Sequence, residues 1–439
     1  MRWVIDGVDA IGNRPDGWPR TVRRRFRERL GADYPAGSMA RLPDGDRPPA
    51  DGALPPAALR GLGTAGRPFG VYVHVPYCAY RCGYCDYNTY IPGEAGPGGY
   101  VDGVAAELRL ARAVLGDATP PAETVFVGGG TPTLLSPAEL ARVLDLIREH
   151  VGIAPGAEVT TEANPESVDP VALAALREAG FTRLSLGMQS AAPHVLETLD
   201  RHHTPGRAVA AAREARAAGF EHVSLDLIFG TPGETAADWR LSLETALSAE
   251  PDHVSAYSLI VEPGTKLAAR VRRGELPAPD DDVLADRYEA TEELLSAAGL
   301  HWYEVANWAR TDADRCRHNM GYWAGGDWWG VGPGAHSHVG GVRWWNVLHP
   351  TRWGALLEEG RSPAAGREEP DAVAARLERV MLAVRLREGL ELEPGDARTA
   401  SQLAADGLLQ PEPLARERRA VLTLRGRLLA DRVTLALAG

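Results

Sequence analysis

The chain has 439 residues, 44% of them hydrophobic and 24% charged, with a formal net charge of −12. That length admits two or three domains, or one large barrel with an appendage. The acidic balance excludes a sequence-independent nucleic-acid binder. No apolar run reaches the length of a bilayer span and no signal-peptide pattern opens the chain. Four cysteines, three of them crowded together, do not form a disulfide framework, so reduced thiolates and a cytoplasmic setting are expected. Residues 1–69 are rich in Pro, Gly, Arg and Asp and read as a flexible or poorly packed extension. Within it Arg2–Asp6 suggests a short strand, and Met39 is an alternative start. A strand-then-helix rhythm then covers residues 70–300. The expected strands are Val71–Val75, Thr124–Val127, Glu158–Glu162, Arg183–Met188, His222–Ile228 and His253–Val261. Among the helices, Ser136, Pro137 and Glu139 form a capping box that opens Pro137–Glu149. Leu140, Val143, Leu144 and Ile147 mark its apolar face. Thr235 and Asp238 open another helix, with Trp239 and Leu243 on its buried stripe. Such βα alternation requires parallel strands and right-handed crossovers, in an open sheet or one curling toward a barrel. Ligands then gather at the C-terminal strand ends. A helix over Asp282–Ala298 leads into the Trp- and Gly-rich region 301–364, which suits plain packing or a pocket for a large flat ligand. Residues 365–439 read as a small α+β C-terminal domain. It has a helix over Pro370–Arg387, then short helices and a β-ribbon with Leu422–Leu424 and Val433–Leu437 as strands.

Three of the four cysteines fall within eight residues, Cys78, Cys82 and Cys85, directly after the first strand. This is no disulfide framework. Thiolates on one short loop can converge on a polynuclear iron site, leaving one iron open for a small molecule. Zinc on three thiolates and a histidine is the competing reading, but structural zinc sites usually pair two CxxC knuckles and only one is present. Further polar motifs sit at later strand ends. The run Gly128-Gly129-Gly130-Thr131 allows close backbone approach to a ligand. Glu162 and Gln189 end the third and fourth strands, Arg201 lies just beyond, and Asp226 is embedded in the fifth. A charge inside an apolar strand needs a partner.

The CxxxCxxC loop after the first strand of a βα series resembles the radical S-adenosylmethionine (SAM) superfamily. The lead-in Tyr72-Val-His-Val-Pro76-Tyr-Cys78 resembles the group formed by oxygen-independent coproporphyrinogen oxidases and HemW-type haem chaperones. The resemblance runs from about Val71 to the C-terminus. It implies a partial (βα)6 TIM-like barrel, a [4Fe-4S] cluster on Cys78, Cys82 and Cys85, and SAM chelating the open iron. Tyr72, Tyr84, Gly129, Gly130, Thr131, Glu162, Gln189, Arg201, Asp226 and Ile260 match the group's SAM-contacting positions. Two features separate the branches. The oxidases carry a further cysteine two places after the third ligand, where this chain has Tyr87. His318-Asn319-Met-Gly-Tyr322-Trp323 matches the HNxxYW motif of the chaperones. Haem is thus an implied ligand, with His318 as candidate axial ligand, Tyr322 and Trp323 as candidate ring contacts, and Cys316 as either a small buried residue or a thiolate ligand. The residues alone also allow His318 to be a hydrogen-bonded core histidine. A haem-acceptor protein, an electron donor for the cluster and peripheral membrane contact are the implied partners, with monomer and dimer both open. The alternative activity is oxidative decarboxylation of coproporphyrinogen III.

Overall fold

The computed structural model describes residues 45–64, 67–92, 98–117 and 119–439. The suggested strand Arg2–Asp6 and the alternative start Met39 lie outside the described residues. β1 (Phe69–Val75), β2 (Ala122–Gly129), β3 (Ile153–Ala163), β4 (Arg183–Gln189), β5 (His222–Phe229) and β6 (His253–Ser258) lie side by side in chain order. Every neighbouring pair among them is parallel. The physical cause is a period-two pattern in the strands. Val71, Val73, Val75, Val125 and Val127 are fully buried on the outer face, under the connecting helices. The inner face carries Tyr72, Phe126, Thr160, Ser185 and Ser224. It forms a polar lumen.

The longer helices and the first short one are α1 (Pro56–Leu59), α2 (Tyr100–Leu115), α3 (Pro137–His150), α4 (Pro170–Ala179), α5 (Arg207–Ala217), α6 (Ala236–Leu247) and α7 (Asp281–Ala297), with short helices at Pro193–Thr198 and Lys266–Arg272 in the loops after β4 and β6. Both expected capping boxes are present, at Ser136 with Glu139 and at Thr235 with Asp238. The Trp- and Gly-rich region extends the same sheet at both edges. β8 (Asn307–Ala309) pairs antiparallel with β6, and β7 (His301–Glu304) pairs antiparallel with β8 at the edge. β9 (Asp327–Val331) runs parallel to β1 and is followed outward by β10 (His336–Val339), β11 (Val342–Asn346) and β12 (Ala364–Glu368). The strand order starts at β12 and ends at β7, so the barrel is partial and open. Between β8 and β9 lies the short helix α8 (Arg317–Trp323).

Three expectations need correction. Residues 45–64 are not loosely packed: Asp46 bridges to Arg367 of β12, Ser362 N–H donates to Ala50 O, and Ala58 is buried. β6 stops at Ser258, so Leu259–Val261 form a loop at its C-terminal end. Val433–Leu437 is not a strand. It lies in the helix Ala430–Ala438, where Ala430, Val433, Thr434 and Leu437 are buried at helical spacing. Leu424 opens another short helix, and the small ribbon is Leu390–Glu391 against Arg419–Ala420.

Candidate cofactor site

The cysteine loop leaves the C-terminal end of β1 and is pinched at its base. Cys78 N–H donates to Tyr90 O at 3.0 Å, and Tyr90 N–H donates to Pro76 O at 2.7 Å. Its tip is bolted to two other βα loops through Gly83. The Gly83 N–H donates to Leu199 O at 3.1 Å and its carbonyl accepts from Leu267 N–H at 2.8 Å. A Cβ at Gly83 would stand 2.5 Å from Asp200 Oδ2, so a larger residue there would have to displace the Asp200 side chain. None of the three cysteines is in a disulfide. The Thr131 hydroxyl donates to Cys78 Sγ and Arg201 Nη1 to Cys82 Sγ, each at 3.7 Å. Burial pushes the Cys78 thiol up, and that of Cys85 up to about 12, against the relief given by Thr131 and by the Tyr87 backbone respectively. Thiols so raised ionise when a metal takes the charge. Donors aimed at sulfur, and a backbone that comes close only through Gly130, fit thiolate ligands of an iron–sulfur cluster. A Cβ at Gly130 would meet Tyr77 O at 2.5 Å and Cys78 Sγ at 2.9 Å.

The expected SAM residues line the mouth above this loop and the lumen beneath it. Gly129 has φ +114°, and its N–H donates to Glu162 Oε2 at 2.9 Å. Gly130 and Thr131 N–H groups donate to Val75 O and Tyr77 O, which locks the glycine run onto β1. Burial, then repulsion from Asp226, pushes Glu162 up to about 8, against the Gly129 hydrogen bond. Asp226 is also raised by burial, although Ser185, Ser255 and Ser224 bond to it. Gln189 ends β4 at φ +65°, where the register with β5 shifts. Arg201 Nη2 donates to Gly187 O at 3.0 Å, while its buried Nε has no protein partner. Tyr84 and Ile260 line one cleft together with Asp86, Ser258 and Glu262. Tyr72 lies deeper, with its hydroxyl 3.0 Å from His74 Nδ1 and its ring 6.2 Å from Phe126.

The His318–Trp323 motif lies in α8. α8 packs across the N-terminal ends of β1 and β2, at the opposite mouth from the cysteines. His318 is 3% exposed and uses both ring nitrogens, at 2.8 Å from Thr124 Oγ1 and 2.8 Å from Tyr322 Oη. Burial lowers it to about 3, so the ring is a neutral core histidine here and offers no free nitrogen to iron. Cys316 is buried beside Glu158, which accepts from its thiol at 3.6 Å, and burial raises it strongly. Trp323 packs on Met381, Leu382 and Leu386 of the C-terminal part. In this conformation His318 and Cys316 take the buried, hydrogen-bonded alternative, and the turn closes the floor of the barrel with Trp323 against the C-terminal helices.

Sequence reasoning missed the inner layers of the lumen. Tyr87 is buried beside Glu162, Tyr72 and Tyr257. His74 is 4% exposed, with Nε2 3.0 Å from Asn88 O. His253 and Tyr303 meet 2.7 Å apart. The available signal was polar residues at every second position of strands whose alternate residues are apolar.

Residues 72–246 match the family model of the Radical SAM superfamily, which is the class that the partial barrel and the cysteine loop define. The chain is 56% identical over 391 residues to the heme chaperone HemW of Mycobacterium tuberculosis, spanning 88% of this chain and 98% of that one. It is 36% identical to the HemW of Escherichia coli, spanning 62% of this chain and 70% of that one. Among solved structures, coproporphyrinogen III oxidase (HemN) of Escherichia coli superposes with a TM-score of 0.74, covering 89% of this chain and 94% of that one. At 22% identity that likeness speaks to the fold. The chain belongs to the HemW family of the radical SAM superfamily.

Proposed function

We propose that this chain is a haem chaperone, which binds haem and passes it to an acceptor protein. It carries a [4Fe-4S] cluster on Cys78, Cys82 and Cys85, with SAM at the open iron. The supporting observation is 56% identity across 98% of a heme chaperone HemW. Gly129, Gly130 and Thr131 border the nucleotide side, and Glu162, Gln189 and Asp226 accept from its amino and ribose groups. Arg201 bonds Cys82 and supports the cluster. Tyr84 and Ile260 form the apolar side of the cleft. When bound, such a cluster can on reduction cleave SAM to a 5′-deoxyadenosyl radical. Among the described residues no helix is long and apolar enough to cross a membrane.

Oxidative decarboxylation of coproporphyrinogen III is the second reading, favoured by the likeness of the whole fold to HemN. Tyr87 weighs against it, because it fills the lumen position beside Glu162 with a phenol where the oxidases carry a cysteine. The test is anaerobic turnover. Reconstituted protein given coproporphyrinogen III, SAM and a reductant should form no protoporphyrinogen IX, yet should bind haem in an absorbance titration and release it to an apo-haemoprotein. Sustained turnover without haem binding would replace the chaperone reading by the oxidase one.

A further inference from the structure

One hydrogen-bonded chain crosses the lumen from the start of the Cys316–Trp323 turn to Asp226. The Cys316 N–H donates to Tyr303 Oη at 3.2 Å. Tyr303 Oη lies 2.7 Å from His253 Nε2. His253 Nδ1 lies 2.8 Å from Ser224 Oγ. Ser224 in turn donates to Asp226 Oδ1 at 3.4 Å, beside Ser185, which donates to the same carboxylate at 2.8 Å. Ser224, His253, Tyr303 and Cys316 are 1%, 2%, 0% and 3% exposed, so water does not compete for these groups.

An ionised Asp226 sets the direction of each bond in the chain. A carboxylate only accepts, so the Ser224 hydrogen points to Asp226 and its oxygen must receive the Nδ1–H of His253. A neutral imidazole has one N–H, so Nε2 accepts from the Tyr303 hydroxyl. Burial keeps His253 well below its ordinary value, and the nearby Arg183 and His222 push the same way. Tyr303 is then left with a lone pair for the Cys316 N–H. Its strand is also tied to the C-terminal part, since Arg387 N–H donates to Tyr303 O at 2.8 Å and Glu304 bridges to Leu386.

We propose that Tyr303, His253 and Ser224 are positioning residues that aim the Asp226 carboxylate at bound SAM and tie its orientation to the Cys316–Trp323 turn. The proposal rests on the reading of Asp226 as a SAM contact. It makes His253 the relay through which the floor of the barrel and the nucleotide side share one geometry. A packing role alone would need the volume of Tyr303 but not its hydroxyl.

The test has one arm without cofactor and one with it. In metal-free protein labelled with ¹⁵N-histidine, the His253 ring, identified by its loss in His253→Asn, should show the Nδ1–H tautomer. The Nε2–H tautomer would overturn the chain. In anaerobically reconstituted protein, Tyr303→Phe should keep its iron content and bind SAM about tenfold more weakly in equilibrium dialysis, since one buried acceptor loses its donor. His253→Asn, whose amide nitrogen can stand where Nδ1 stood, should keep the wild-type affinity to within about twofold. Unchanged affinity in Tyr303→Phe would reduce the chain to packing and overturn the proposal. If the cluster-loaded wild-type protein bound no SAM while the tautomer was as expected, the cofactor reading would fail and take the positioning role with it, leaving the hydrogen bonds intact.

Discussion

Gly130 decides how closely the glycine run can approach the cysteine loop. Because a Cβ there would stand 2.5 Å from Tyr77 O and 2.9 Å from Cys78 Sγ, Gly130→Ala must move the first ligand. We expect it to lose most of its iron on reconstitution with an unaltered far-ultraviolet circular dichroism spectrum. A full complement of iron would show that the loop tolerates the displacement. Glu162, a neighbour of this run, makes a prediction in pH. Its ordinary value near 4.5 rises to about 8 in the fold, chiefly through burial. The neutral acid is therefore favoured when folded, so its contribution to stability is complete below the unfolded value and is lost as pH rises through the folded one. Glu107, Glu234 and Glu304, each raised to about 7 by burial, act in the same sense. Metal-free protein should melt at a lower temperature at about pH 8 than at about pH 6, and Glu162→Gln should flatten part of that slope. A melting temperature that climbs over the same interval would contradict the burial of these acids. At this scale the cysteines were legible because spacing alone restricts what three thiols on one loop can do. His318 stayed open between two readings, because a histidine that ligates iron and one that bonds Thr124 and Tyr322 look alike in sequence.

The parallel strands were legible as elements because their outer valines alternate with polar or small residues, and each of the expected segments overlaps a strand of the sheet, the sixth ending early at Ser258. The tail was misread where a short apolar run fits either period. Val433 and Leu437 are four apart and bury on one helical face, whereas a strand would have placed them on one side of a ribbon as well. The position of α8 was beyond sequence reasoning, since nothing local says that this turn plugs the N-terminal mouth of the barrel. Its fit is nonetheless testable. Removing the doubly bonded imidazole in His318→Ala strands the Thr124 and Tyr322 hydroxyls in the core and opens a cavity beside Phe126, whose ring lies 5.2 Å away. We expect a loss of roughly 3 kcal/mol in denaturant unfolding, with cluster iron retained because the cysteines lie at the other mouth. A stability within about 0.5 kcal/mol of wild type would mean that α8 is not anchored through this ring.

Across the whole molecule, one sheet joins parts that composition alone would separate. Glu107 of α2 accepts from Gly332 N–H, Asn346 and Trp353 at 2.8, 2.6 and 2.8 Å, which fastens the Trp- and Gly-rich region to the first βα unit. Trp323 fastens the C-terminal helices to the floor. The two mouths of the barrel are thus built by different stretches of chain, with the cysteine loop and strand ends at one and α8 at the other. That division makes the metal centre separable from the scaffold. The most direct test is iron and sulfide analysis with the electronic spectrum of protein purified without oxygen, alongside Cys82→Ala. We predict about four iron and four sulfide per chain with a broad charge-transfer band near 400 nm that bleaches on reduction, and its loss in a still-folded Cys82→Ala. Zinc in place of iron, or a spectrum that survives the substitution, would contradict the account.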